Sequence, residues 1–275
     1  MSTDLHPALS DPFNHYSLRL GKGYWENPLS GDKYYINGGI PVFLPEELMS
    51  GNNLKYSRFY DRISRFYRFS SLLASRFGGY SDRKSRMRYL QKLHIAPGNR
   101  VLEVAVGTAD NLKYLPEGAI YSGIDISFGM LTMAAKHLRK WKRSAFLFQG
   151  EAEHLPFPAD SFDVVFHVGG IVLFNDGQRA LQEMIRVARP GARLLIVDDK
   201  EDTPARGERF NPFNPGDISL PGGTMALPSR LIPHGMKNIE ISILDGGNLF
   251  CLIFTKPELR PGHEHKPLMT PAVQR

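Results

Sequence analysis

A chain of 275 residues that is 42% hydrophobic and 23% charged can bury a complete core, so its composition excludes a disordered protein. Its apolar stretches are only as long as strands, and its first residues lack the basic start and apolar run of a signal peptide, so we expect a cytoplasmic protein. The single cysteine, Cys251, lies in an apolar strand pattern and excludes an intramolecular disulfide. The scattered histidines lack ligand spacing, so we expect no metal site.

Residues 1–53 form an accessory segment in our interpretation, because they are rich in glycine, proline and asparagine. Apolar pieces at 34–36 and 40–44 predict short strands within this irregular stretch. The pattern then changes. Residues 55–77 carry apolar side chains at helical spacing, and a second predicted helix begins at Ser81, so a helical lid is expected over 55–95.

The formal net charge of +6 is concentrated in this lid. Between Lys55 and Lys92, eleven basic residues stand against two acidic ones. Such a stripe is suited to an anionic substrate, to nucleic acid or to peripheral contact with a membrane surface. A solvated helix face explains it equally well. The sequence indicates no oligomeric state.

After Pro97, strands and helices alternate, which is typical of a parallel sheet covered on both faces. The predicted strands are 100–106, 120–126, 145–149, 162–167 and 192–198, and the predicted helices are 110–115, 128–138 and 177–188. Strands at 239–244 and 249–255 flank a glycine turn and predict an antiparallel hairpin. The predicted fold class is therefore α/β, a doubly wound, mostly parallel seven-stranded sheet within a domain spanning 54–257. A long loop is expected over 200–229, and a tail over 258–275.

The turn after the first of these strands is built from small residues. Ala105, Gly107 and Ala109 allow a ligand to approach the backbone, and the predicted helix at 110–115 offers free amide groups. The dinucleotide pattern of three glycines is absent, and Glu103 would repel a pyrophosphate. A carboxylate there favours a cation instead, such as the sulfonium and amino groups of S-adenosylmethionine.

A second acid, Asp125, ends the next strand, where a carboxylate can accept hydrogen bonds from both ribose hydroxyls. We expect Asp125 at an open strand end, where its substitution changes stability little. A third acidic segment, 150–157, follows the next strand. Because the carboxyl ends of parallel strands meet at one edge, all three segments are expected in one crevice.

Segments 102–110, 123–131, 150–157, 186–191 and 235–239 together resemble class I S-adenosylmethionine-dependent methyltransferases, closest to the type 11 branch of quinone C-methyltransferases and their small-molecule relatives. The resemblance covers about 60–255. It implies S-adenosyl-L-methionine as the cofactor and S-adenosyl-L-homocysteine as the product. It implies that Glu103 and residues 105–108 hold the methionine portion, Asp125 the ribose, and Glu151 with Ala152 the adenine. The implied cofactor-binding residues are Glu103, Val104, Ala105, Gly107, Thr108, Asp125, Ile126, Met130, Glu151, Ala152, Glu153 and His167.

The acceptor side is less defined. His167 ends the fourth strand of the alternating region, where it could act as a base or only shape the pocket. Methyl transfer often needs alignment alone. Candidate substrate contacts are Tyr60, Phe66, Tyr67, Phe174 and Arg209.

The function predicted is methyl transfer from S-adenosylmethionine to a small acceptor that is aromatic, quinone-like or lipid. The alternatives are an RNA or protein methyltransferase, and a member of the family that binds the cofactor but catalyses a reaction other than methylation. Nucleic acid is not favoured, because no RNA-binding module accompanies the basic stripe. Residues 27–31 and 36–44 also resemble the small Trm112-type zinc module, here without its cysteines. We therefore interpret 1–53 as a metal-free remnant or an unrelated arm.

Overall fold

The computed structural model describes residues 6–44, 49–62, 64, 82–199, 232, 235–244 and 249–258. Within these ranges the principal sheet has seven strands, in the spatial order β10-β11-β9-β8-β5-β6-β7. The strands are β5 (Arg100–Val104), β6 (Ile120–Asp125), β7 (Phe146–Gln149), β8 (Phe162–Val168), β9 (Ala188–Asp199), β10 (Lys237–Leu244) and β11 (Leu249–Thr255). Neighbouring strands from β5 to β9 are parallel, and β11 is antiparallel to both β9 and β10. The predicted fold class is confirmed.

Four α-helices lie within the described ranges: α1 (51–62), α2 (Asp82–Leu90), α3 (Phe128–Trp141) and α4 (Gly177–Val187). Ser127 caps α3, because its side chain accepts a hydrogen bond from the amide of Met130. Asp176 caps α4 in the same way through the amide of Arg179.

The helix predicted over 110–115 is wrong. Only a three-residue 3-10 turn, Leu112–Tyr114, occurs there. Ala109 has a left-handed backbone, with φ of 62°, and Pro116 follows closely, so no α-helix can propagate between them.

Apolar residues cover both faces of the sheet. Alternating side chains of β5 enter two separate clusters, Leu102 and Val104 in one and Val101 in the other. Cys251 is fully buried in the second cluster, as its strand pattern predicts. The predicted loop 200–229, the hairpin turn 245–248 and the tail from 259 lie outside the described residues.

The N-terminal segment forms a separate four-stranded antiparallel sheet, in the order β1 (Arg19–Leu20), β2 (Tyr24–Glu26), β3 (Lys33–Asn37) and β4 (Ile40–Pro41). It continues into the edge of the large sheet, because Val42 bridges in parallel to Gln149 and the amide of Phe43 donates to the Gln149 carbonyl at 2.8 Å. The exposed edge of β7 is thereby covered.

A buried polar cluster holds the N-terminal segment together. The carboxylate of Asp11 accepts hydrogen bonds from Asn27 at 2.8 Å and from the Tyr34 hydroxyl at 2.9 Å. These bonds lower the pKa of Asp11, although burial opposes them most strongly. Hydrogen bonds between these side chains therefore hold the described part of the segment together. Its relation to the Trm112 module stays a prediction.

Candidate active site

Strand β5 occupies the centre of the large sheet, between β6 and β8. The chain moves from β5 to β6 and β7 on one side and returns to β8 and β9 on the other, which makes the β5–β8 boundary the topological switch point. Ligands of doubly wound sheets bind in the crevice beyond this point. The predicted acid Glu103 lies at the carboxyl end of β5, which borders this point, and Asp125 lies at the carboxyl end of the next strand, β6.

The turn after β5 has an unusual backbone. Ala105, Gly107 and Ala109 all have left-handed backbones, with φ of 58°, 53° and 62°. A left-handed alanine costs about 1–2 kcal/mol, so the turn stores strain in two residues that are not glycine. A side chain at Gly107 would meet no described atom within 4 Å, so the space above it is open to a ligand.

Glu103 lies beneath this turn and is only 2% exposed. Its Oε1 accepts a hydrogen bond from Asn111 at 2.6 Å, while its buried Oε2 has no partner among the described residues. Burial raises the pKa of Glu103 to about 8, although Asn111 and Arg86 lower it. Asn111 is itself held by Arg86 at 2.6 Å and by Tyr89. A buried carboxyl with one free oxygen is prepared for a cationic partner.

Asp125 does not lie at an open strand end, so that expectation is wrong. It is 8% exposed, because the β5 turn and α1 fold over it. Its Oδ2 accepts a hydrogen bond from the amide of Gly107 at 2.7 Å, and its Oδ1 accepts one from the amide of Ser127 at 2.9 Å. Burial raises the pKa of Asp125 to about 6 despite both bonds.

The third acidic segment has divided roles. Glu151 is partly exposed and pairs with His154 at 3.2 Å, and Ala152 is buried beside it. Glu153 instead turns toward α1. Both of its carboxylate oxygens lie 3.3 Å from the side-chain amide nitrogen of Asn53, and the backbone amide of Asp176 donates to Oε1. Burial raises the pKa of Glu153. Its carboxylate thus fixes α1 and a neighbouring loop, a contact that sequence reasoning did not find.

His167 is fully buried at the carboxyl end of β8. Its Nδ1 donates to the carbonyl of Val104 at 2.9 Å, an assignment that follows from the carbonyl being an acceptor only. Nε2 therefore carries a lone pair, and no described residue donates to it. Burial lowers the pKa of His167, so the ring is neutral near pH 7. Its ring centroid lies 5.2 Å from that of Phe174.

The remaining predicted residues are placed as follows. Val104, Thr108 and Met130 are buried around the crevice, and Ile126 is partly exposed. Tyr60 lies on α1 against Phe59. The predicted substrate contacts Phe66, Tyr67 and Arg209 lie outside the described residues.

Sequence reasoning missed three residues of this site. Asn111 positions Glu103, Ser127 positions Asp125, and Asp61 of α1 contacts Ser127. Only Ser127 has a local signal, since a serine before an apolar helix is a typical cap. Across the described ranges, no three histidine, cysteine or acidic residues converge as a metal site, and no helix is both long and apolar enough to span a bilayer.

Comparison with known proteins shows what the chain is similar to. A family model described as a methyltransferase domain matches residues 102–196. The demethylmenaquinone methyltransferase of Mycobacterium marinum is 38% identical over 140 residues, which cover 50% of this chain and 57% of that protein. The ubiquinone/menaquinone biosynthesis C-methyltransferase UbiE of Syntrophotalea carbinolica is 33% identical over 147 residues, 52% of this chain and 61% of that protein. The matches thus span somewhat more than half the length of these relatives.

Among solved structures, the 4+2 cyclase SpnF is similar with a TM-score of 0.60 at 16% identity, covering 76% of this chain and 98% of that one. At this identity the likeness concerns the fold alone. Residues 102–196, which include the strained turn after β5, thus match a methyltransferase domain, and about half of the chain is similar to quinone C-methyltransferases.

Proposed function

We propose that this protein transfers a methyl group from S-adenosylmethionine to a small, quinone-like acceptor. The observation that carries the proposal is the buried Oε2 of Glu103, which has no partner in the described structure and lies beneath an open turn. An anionic ligand portion would be repelled by this carboxylate, whereas an ammonium group would form the strongest hydrogen bond with it.

The residues present fit the cofactor. Glu103 would receive the amino group of the methionine portion, and the open face of Gly107 would admit its chain. Asp125 would accept from the ribose hydroxyls while its backbone bonds to Gly107 and Ser127 hold it in place. Ala152 and Glu151 would border the adenine. When bound, S-adenosylmethionine supplies an electrophilic methyl group on a sulfonium.

The acceptor side is proposed from His167 and its neighbours. The neutral ring is oriented by its bond to Val104, and its free Nε2 is able to take a proton that the acceptor loses on methylation. Phe174 beside it provides an aromatic surface for a planar ring, with Tyr60 of α1 as a second candidate. The names of the curated relatives support a quinone-like acceptor.

Product analysis tests the proposal. Purified protein would be incubated with methyl-labelled S-adenosylmethionine and a demethylated quinol, and products would be resolved by mass spectrometry. A methylated quinol and an equal amount of S-adenosylhomocysteine are expected. Label in RNA or protein, or an acceptor converted without gaining a methyl group, would refute the proposal in favour of one of the alternatives.

The role of His167 is tested separately with His167→Gln. The variant keeps a polar side chain but lacks a comparable base, so the rate is expected to fall by about a hundredfold or more. Cofactor affinity should remain near that of the unmodified protein. A rate within a few-fold of the original would show that alignment alone suffices and that His167 only shapes the pocket.

A further inference from the structure

Helix α1 crosses the carboxyl edge of the large sheet and is attached to it at several positions. At its start, Asn53 contacts Glu153 after β7, and the amide of Asn52 donates to Asn175 after β8 at 2.7 Å. Farther along the helix, Ser57 donates to the carbonyl of Ile126 after β6. The helix therefore spans the crevice in which Glu103 and Asp125 lie.

A further attachment of α1 is made by Asp61. Its Oδ1 accepts hydrogen bonds from the Ser127 hydroxyl and from the amide of Gly129 at 2.8 Å. The Gly129 amide is among the first amides of α3, which have no partner within the helix, and an anion is favourable at this positive end. We call these two contacts of Asp61 the α1 latch.

Close approach at the latch requires a glycine. A side chain at Gly129 would lie 3.0 Å from the Cα and Oδ1 of Asp61 and 3.0 Å from the hydroxyl of Ser64. Because one of these atoms belongs to the backbone, α1 would have to shift. A larger residue at 129 would therefore displace α1 without removing any hydrogen-bonding group.

The contact of Asn53 with Glu153 and the α1 latch differ in burial. Asn53 and Glu153 are each 4% exposed, whereas Asp61 is an exposed residue. Exposed hydrogen bonds open at lower free energy than buried ones. The start of α1 is thus suited to serve as a pivot, and the α1 latch is the attachment that can release.

The latch is connected to the proposed ribose site through one residue. The amide of Ser127 donates to Asp125, and the hydroxyl of Ser127 donates to Asp61. Displacing Asp61 removes one constraint on the residue that orients Asp125. The position of α1 and the geometry of the ribose site are thereby coupled.

We propose that Asp61 is a positioning residue that latches α1 over the bound cofactor, and that opening of the α1 latch limits cofactor exchange. The proposal rests on the proposed function, since it needs a cofactor in the crevice. Asp61 acts through Ser127 and α3 and does not itself bind the cofactor.

The test measures the dissociation rate and Kd of S-adenosylhomocysteine in Asp61→Ala, Gly129→Ala and the double variant. Each single change should raise both quantities about tenfold, the effect of losing one or two hydrogen bonds to a charged group in partly exposed surroundings. Since both changes open the same latch, the double variant should be little worse than either one. Asp61→Asn retains an acceptor oxygen and should fall between Asp61→Ala and the unmodified protein.

Arg62→Ala changes an exposed neighbour on α1 and should leave the dissociation rate unchanged. The melting temperature of each ligand-free variant is measured as well. Alanine at position 129 favours a helix by itself, and an effect confined to the stability of α3 would not weaken ligand retention. If the unmodified protein binds the ligand and the single variants release it at the same rate as the unmodified protein, the latch proposal is wrong and the proposed function is unaffected. Unmodified protein that fails to bind the ligand would refute the proposed function and the latch with it.

Discussion

Replacing Glu103 with glutamine should stabilise the cofactor-free protein while weakening cofactor binding. Glutamine has nearly the same shape and its amide oxygen can still accept the bond from Asn111, so the change mainly removes the ionisable group. The two expected effects have opposite signs because the same buried carboxyl is unfavourable in the empty site and favourable beside a cation.

The magnitude follows from the pKa of Glu103, raised by burial from its ordinary value of 4.5 to about 8. At pH values between these two pKa values, Glu103 has lost its proton in the unfolded chain and still holds it in the folded chain. The folded state therefore binds more protons, and the free energy of unfolding falls as pH rises. At pH 7 the difference amounts to about 3 kcal/mol. Glu103→Gln should recover stability of about this size at pH 7 and almost none below pH 4.

Cofactor binding should show the reverse pH dependence. An ammonium group pairs with the ionised carboxyl, so affinity should rise toward pH 8 and binding should release a proton. Because the pKa of Asp125 is raised only to about 6, the interval between about pH 6 and 8 isolates Glu103 from it. The charged groups around Glu103 are Arg86, which lowers its pKa, and Asp110 and Asp125, which raise it.

The assay is titration calorimetry with S-adenosylhomocysteine in buffers of different ionisation enthalpy, alongside chemical denaturation. Glu103→Gln should bind about tenfold to a hundredfold more weakly and without pH dependence in this interval. The control is Glu183→Gln, a buried carboxylate that accepts from Leu155 and Arg186 away from the crevice. It should lower stability and leave affinity unchanged. A Glu103→Gln protein that is less stable, or binds as tightly as the original, would refute the reasoning.

Three further predictions concern the turn, the ribose site and the N-terminal segment. Asp125→Ala leaves the amides of Gly107 and Ser127 unpaired, so denaturation should show a loss of about 2–4 kcal/mol, and calorimetry a tenfold to thousandfold loss of affinity; a change in only one of the two would contradict the double role. Ala105→Val places a β-branched residue at φ of 58° and should lower the unfolding free energy by about 1–3 kcal/mol; unchanged denaturation would show that the turn is not strained. Elemental analysis should find no stoichiometric zinc in the purified protein, and one zinc per chain would disprove the metal-free interpretation of 1–53.

The sheet could be predicted because its signals are local. Strand-length apolar runs alternate with capped helices, and the predicted bounds of β6, β7 and β8 differ from those observed by one residue at most. The spacing of Glu103 and Asp125 likewise placed both acids at the same edge.

Contacts between distant parts of the chain could not be predicted from these patterns. Asp61 and Gly129 are 68 residues apart, and Asn53 and Glu153 are 100 apart. The burial of Asp125 depends on such contacts, since α1 folds over a strand end that would otherwise be open. The missing helix after β5 has a different cause, because alanine at 109 has high helix propensity but a left-handed backbone in this turn.

Four departures from ordinary folding rules lie close together. Two alanines with left-handed backbones, a buried carboxyl with a free oxygen and a buried imidazole with a free lone pair all border the carboxyl ends of β5 and β8. Each is unfavourable in the empty protein, and elsewhere in the described core most buried polar side chains have partners. A ligand that pairs with Glu103 and fills the space above Gly107 removes part of this cost, so binding free energy and folding strain are linked at the same residues. Cofactor should therefore raise the melting temperature of the original protein more than that of Glu103→Gln at equal ligand concentration, in proportion to the difference in affinity.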